Sequence, residues 1–209
     1  MKLINLDYQK YLEELSSNSP APGGGSVSAI SGGLGVSLFQ MVVNLSINKK
    51  GYEEYRESYE RLMEESKAYQ EFFIRAVDDD SDAFNDVIKA FRMPKETEED
   101  KEARRKAIQA GYKHAADVPF EVGKKAYDFY GFLEDIVDKC NENSITDIAV
   151  SGLQLRAALY GDFYNVRINL FAIKDEDYVK SRLEEMEKME EDLVRREKEL
   201  MEKINKIME

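Results

Sequence analysis

Among the residues able to do chemistry, Asp80 stands out by its company. Tyr52, Tyr55, Tyr59, Leu62, Ser66, Tyr69, Phe73, Ala76, Asp80, Ala83, Val87 and Ala90 follow one another by steps of three and four, the apolar seam of one long helix. Ser66 is easily accommodated, because its hydroxyl can bond a carbonyl one turn back. A carboxylate among Phe73, Ala76, Ala83, Phe84 and Val87 is costly unless it is paired or protonated. Burial raises a carboxyl pKa, the condition for exchanging a proton near neutral pH. A bond to an arginine or a helix end is the alternative reading. The neighbours Asp78, Asp79 and Asp82 read as a solvated face, and their charges would also raise the pKa of any one member.

A second candidate is Pro22-Gly23-Gly24-Gly25-Ser26 at the start of a helical pattern. Free N–H groups and the dipole at a helix start favour an anion, and glycines let a ligand approach the backbone. No Gly-Lys-Ser/Thr follows, so this is not a phosphate loop, and a plain turn is the competing reading. Asn141, Asn143, Ser144 and Asp147 are fully explained as a cap but could contact a ligand. Asn165 and Asn169 are spaced i, i+4, and asparagine is a mediocre helix former, which suggests a purpose beyond propensity. Helical spacing points the aspartates of residues 78–82 in different directions and no histidine joins them, so no metal site is expected. His114 reads as a packed or surface side chain, and Cys140 as a small buried hydrophobe.

The elements that must position these residues are helices throughout. All four prolines fall before residue 120 and no glycine follows Gly161. The spacing predicts a helix over residues 7–15 with Tyr8, Tyr11, Leu12 and Leu15 on one side. A turn follows at SPAPGGG, and then a helix from Ser26 to Ile47. The latter carries Val27, Ile30, Leu34, Leu38, Met41, Val42 and Leu45 on one stripe, and Ala29, Gly32, Gly33 and Ser37 on faces open to close approach. The long seam ends at Pro94. Thr97 with Asp100 reads as a capping box opening a helix that Pro119 bends and that runs to Cys140. Ser144 with Asp147 reads as another, launching a short helix to Leu159. Tyr160-Gly161-Asp162 separates it from a helix over 165–170. Residues 175–209 form a long charged arm with Val179, Leu183, Met186, Glu190, Leu193, Glu197, Leu200, Ile204 and Ile207 in its seam, expected to pair with a partner helix. The fold class is all-α: one domain over 1–209, an up-and-down bundle around a buried, small-residue-rich central helix with a C-terminal helical arm.

Charge and hydropathy bound the partners. Thirty Lys and Arg against forty-two Asp and Glu leave a formal charge of −12, which disfavours nucleic acid and anionic lipid. Residues 15–48 form an uncharged run of 34, long enough for a bilayer, but its serines and six glycines dilute the hydropathy, so a helix buried in protein is expected. The amino end turns amphipathic and acidic, unlike a targeting signal, and one cysteine permits no internal disulfide. A reduced, cytoplasmic protein is the expectation.

Six segments taken together resemble a known family. They are PAPGGGSVSA (20–29), VDDDSDAF (77–84), MPKETEE (93–99), AADVP (115–119), NENSITD (141–147) and NVRINL (165–170). In this order they are similar to the formiminotetrahydrofolate cyclodeaminase and methenyltetrahydrofolate cyclohydrolase family, which includes the C-terminal half of formiminotransferase-cyclodeaminase. The resemblance implies a homodimeric all-helical enzyme acting on a tetrahydrofolate derivative, with or without a polyglutamate tail, and using no metal or other cofactor. It implies Asp80 as the proton-carrying catalytic residue, with Asp78 in that role if the register shifts. Gly23, Gly24, Gly25 and Ser26 would line the folate pocket, and Asn143, Asp147, Asn165 and Asn169 would contact the pterin or hold neighbouring helices. Two departures stand out. Cys140-Asn141-Glu142-Asn143 replaces a frequent Gly-Asn-x-Asn, and Asn48-Lys49-Lys50 replaces a frequent Gly-Lys whose cation would meet the glutamate tail. The implied reaction is conversion of 5-formimino-tetrahydrofolate to 5,10-methenyl-tetrahydrofolate with loss of ammonia. Hydrolysis of the methenyl compound is the alternative, and a non-catalytic helical scaffold is a third reading.

Overall fold

In the computed structural model, residues 2–209 are described, apart from the side chain at position 81. They form six α-helices: α1 (Tyr8–Leu15), α2 (Gly24–Ile47), α3 (Arg56–Phe91), α4 (Glu98–Ile136), α5 (Ile145–Leu170) and α6 (Glu176–Met208). No strand occurs among the described residues. Side-chain neighbours give the topology. Gly32 meets Phe73 and Gln40 Nε2 donates to Ser66 Oγ at 3.1 Å, so α2 and α3 run antiparallel. Gly35 meets Leu155 while Gly24 meets Asn165, which makes α5 antiparallel to α2 on its other side. Tyr69 on α3 packs against Phe129 on α4, and Gly123 on α4 against Phe163 on α5, closing an up-and-down ring of four helices.

α2 is the pivot, and its small residues explain why. A Cβ on Gly32 would stand 2.2 Å from the Phe73 ring, so only glycine allows α3 this close. The core side of α2 is Ala29, Val36, Phe39, Val42 and Val43, all fully buried. Phe39 meets the stacked rings of Phe129 and Phe132, whose centroids lie 4.5 Å apart, with Tyr69 edge-on. Of the large-residue stripe, Val42 is fully buried and Ile30 and Leu38 are half-buried, while Leu34 is 51% and Leu45 49% exposed and Val27 and Met41 are exposed too. The neighbours pack closest where Gly25, Gly32 and Gly35 leave room, and that sets which side of α2 is buried. α2 is long and apolar enough to cross a membrane by length and composition, yet more than half of its most apolar window is buried among the other helices.

Several details differ from the sequence reading. α3 begins at Arg56, so Tyr52 and Tyr55 of its seam precede it. α2 begins at Gly24, so two of the turn glycines belong to its first helical turn. α4 ends at Ile136 rather than Cys140. α5 is continuous, with Tyr160-Gly161-Asp162 inside it, because Gly161 permits close approach of α2 instead of breaking the helix: a Cβ there would lie 2.2 Å from Ser28 Oγ. The Ser144–Asp147 capping box is absent, since the Ser144 hydroxyl donates to the Asn141 carbonyl at 2.8 Å. The Thr97–Asp100 box is formed in both directions. On α1 only Tyr11 is buried, while Tyr8 and Leu12 face outward.

The C-terminal helix is not a free arm. α6 folds back along α5 and α4, burying Met186, Leu193, Leu200 and Ile204. The two glutamates that interrupt its seam meet arginines of α5: Glu190 pairs with Arg167 at 2.7 Å and Glu197 with Arg156 at 3.1 Å.

Candidate active site

Three helices bring their polar residues to the amino end of α2. Asp80 on α3 is half-buried with its carboxyl against Gly25, where a Cβ would come 2.4 Å from Asp80 Cγ. Glycine is therefore required here so that the acid can lie on the first turn of α2. Ser26 Oγ donates to the Val77 carbonyl at 2.7 Å and holds α3 in that register. Gly23 caps α2 without any side-chain bond, which leaves the first N–H groups of the helix without a side-chain acceptor. Burial pushes the Asp80 carboxyl above its usual range, while the positive end of α2 beside it favours the charged form. A group so balanced can exchange a proton near neutral pH.

α5 contributes the residues opposite. Gly24 is packed against the Asn165 amide, and Asn165 Nδ2 donates to the Gly161 carbonyl at 2.9 Å. One turn on, Asn169 Nδ2 donates to the Ala115 carbonyl at 2.8 Å. That carbonyl lies four residues before Pro119, which has no N–H to give it, so Asn169 satisfies the acceptor that the mid-helix proline leaves open. Asn169 thus holds α4 to α5.

Sequence reasoning missed Asp162. It sits on the core side of α5 among Leu155, Ala158, Leu159, Phe163 and Val166, is 1% exposed, and its Oδ2 has no hydrogen-bond partner. Burial first, and the charge of Asp80 second, hold its carboxyl well above the usual carboxylate range. The signal was present: residue 162 falls on the same three/four spacing as its buried neighbours. Reading Gly161 as a break hid it.

The other candidates lie elsewhere. Asp78 accepts the Leu3 N–H at 2.6 Å, tying down the amino-terminal segment. Asp79 is exposed and lines a hollow of about 260 Å³ between α3 and α4 with His114, Asp117 and Glu121. Asn143 is exposed and Asp147 half-buried, at the far end of α2, about 35 Å away along its axis. There Asn141 is the hub. Its Oδ1 accepts from Lys49 Nζ and from the Asn143 N–H, and its N–H donates to Ser46 Oγ at 2.9 Å. Cys140 is buried beside this hub, which pushes its thiol up to about 11. No group of three or more His, Cys, Asp or Glu that could hold a metal occurs among the described residues.

An antiparallel helical ring with glycine-backed carboxyls at one end of its central helix defines the class of protein, and comparison with known proteins makes it specific. The formiminotransferase-cyclodeaminase family model matches residues 7–188, and the chain belongs to that family. It is 35% identical over 183 residues to the methenyltetrahydrofolate cyclohydrolase of Methylorubrum extorquens, covering 88% of each chain. It is 31% identical over 176 residues to the formimidoyltransferase-cyclodeaminase of Gallus gallus, but spans only 32% of that longer chain. The crystal structure of formiminotetrahydrofolate cyclodeaminase from Thermotoga maritima superposes with a TM-score of 0.88 at 27% identity, over 100% of both chains.

Proposed function

We propose that this protein converts 5-formimino-tetrahydrofolate to 5,10-methenyl-tetrahydrofolate and ammonia, with Asp80 carrying the proton. The observation that carries this reading is the Asp80 carboxyl, half-buried against Gly25 at the amino end of α2. N10 attacks the carbon of the protonated formimino group, N5–CH=NH2+; as that bond forms, the Asp80 carboxylate takes the N10 proton. Asp80 then returns it to the resulting NH2, whose bond to carbon breaks, so that ammonia leaves and the 5,10-methenyl cation remains. Proton transfer of this kind contributes about a hundredfold or more and calls for no resident cofactor. Mixing pure protein with 5-formimino-tetrahydrofolate is expected to raise methenyl absorbance and release ammonia; the absence of both changes overturns the reading. A second reading is favoured by the 35% identity to a cyclohydrolase over most of both chains. In it, water adds to the methenyl carbon and Asp80 takes its proton; Asp80 then gives that proton to the ring nitrogen whose bond to this carbon breaks, and the added hydroxyl loses its own proton to solvent as the formyl group forms. Loss of methenyl absorbance faster than in buffer supports that direction.

The same proposal includes a cytoplasmic homodimer. Its support is the continuous apolar surface of α2 and α5, where Leu34, Leu153, Tyr164 and Ile168 are each at least 50% exposed. A two-fold axis through the middle of α2 would lay two such surfaces together antiparallel. Asn143, Asp147 and Lys49 of one copy would then approach Asp80 of the other. That arrangement gives the residues at both ends of α2 access to one folate, with Lys49 or Lys50 available to its glutamate tail.

A further inference from the structure

Asp162 is the one carboxylic acid buried to 1% exposure among the described residues, and no partner explains its Oδ2. Leaving such a group unsatisfied costs on the order of a few kcal/mol, so a purely structural position would favour leucine or asparagine. Its place in the bundle is specific. Gly161 abuts Ser28 and Asn165 abuts Gly24, so residues 161–165 of α5 face the first two turns of α2, the level at which Asp80 lies on Gly25. Two acids from two helices therefore stand at one level of the bundle.

We propose that Asp162 is a positioning residue for Asp80: a neutral carboxylic acid that keeps the pair at a single negative charge, so that Asp80 alone ionises and cycles the proton. This rests on the folate reading above. The other charged groups at this level of the packed elements are exposed or paired, Arg75 and Asp82 of α3 among the exposed ones. α2 carries no charged residue. On α3, Asp78 is bonded to Leu3 and Asp79 faces the outer hollow. The α4 residues packed on this stretch of α5 include Ala115 and Gly123, while His114, Asp117 and Glu121 line that same outer hollow. On α6, Glu190 and Glu197 are paired with Arg167 and Arg156. The charge acting on Asp162 is that of Asp80. Two charges there would repel, so ionisation of Asp80 keeps the remaining proton on Asp162, the drier of the two.

Infrared titration of the intact protein tests this without substrate. The wild type is expected to show the carbonyl stretch of a protonated carboxylic acid at neutral pH, absent in Asp162→Asn. In Asp80→Asn, which removes the neighbouring charge, the same band should titrate away about one pH unit or more lower. A wild type with no such band at neutral pH, or equal midpoints in wild type and Asp80→Asn, overturns the pairing even if Asp162→Asn fails to fold. In kinetics, Asp162→Asn, neutral at every pH, should keep kcat within about tenfold and leave in place the acid limb set by Asp80; loss of that limb would overturn the division of roles between the two acids. Protein inactive on both folates with the infrared behaviour intact would instead sink the folate reading and spare the pair.

Discussion

The two ends of α2 treat polar groups in opposite ways. At the carboxyl end the groups around Asn141 are bonded to one another: Ser46 and Lys49 bond Asn141, the Ser144 hydroxyl bonds the Asn141 carbonyl, and Tyr59 OH donates to the Lys139 carbonyl. At the amino end the first N–H groups of α2 have no side-chain cap, Asp80 lies on a glycine, and Asp162 is left with an unpartnered oxygen. Satisfied networks rigidify, whereas unsatisfied buried polar groups are expensive and persist where they do a job. The contrast separates the end that carries the chemistry from the end that secures the frame.

The largest effect should come from Asp80→Asn, which keeps shape and removes the proton carrier. Turnover is expected to fall about a hundredfold or more while Tm stays within a few degrees, and unchanged turnover would move the chemistry away from this end. Next is Gly25→Ala, which forces a methyl into the Asp80 carboxyl. Despite alanine's better helix propensity, thermal unfolding should register a loss of about 1–3 kcal/mol, with turnover falling roughly tenfold. Asn143→Ala sharpens the comparison by testing whether the ends meet in a dimer. KM should rise severalfold with kcat nearly constant, and mixing this variant with Asp80→Asn chains should regain activity, since one of the two sites in the mixed dimer is then intact. Additive, unrecovered activity would confine the site to one end of one chain.

Smaller effects fall on stability. Asn141→Ala at the satisfied end should cost about 1 kcal/mol with kcat unchanged. The acids at the other end give stability its pH slope. Asp79, Asp80 and Asp162 are all raised in the folded chain, each by burial first. The native state therefore holds protons that the unfolded chain has released. Stability contributed by these groups is present at low pH and is lost as pH climbs from the ordinary carboxylate range through their raised values. Denaturant titrations across that window should show the decline, and Asp162→Asn should flatten it.

Much of this was legible in the residues. The three/four spacing of Tyr59, Leu62, Ser66, Phe73 and Ala76 gave α3 and put Asp80 on its inner face, because helical periodicity is a local property. The capping box at Thr97 was equally local. Where two helices had to be weighed against each other, the chain alone misled. Periodicity set the stripes of α2 but not their burial: Leu34 and Leu45 are exposed while Ala29, Val36 and Phe39 are buried. Glu190 and Glu197 stood as interruptions of an apolar seam until Arg167 and Arg156 of α5 were set beside them. Gly161 read as a breaker although it is a contact point.

The sequence by itself determined that the chain is helical, where most helices start, and which carboxylate interrupts an apolar seam, because propensity, capping and periodicity act within a few residues. Only the tertiary structure decided which face of α2 is inside, that Asn169 serves the carbonyl opened by Pro119, and that Asp162 stands at the level of Asp80. Those facts depend on how closely separate helices approach, and the glycines that set the distance say nothing until their neighbours are known.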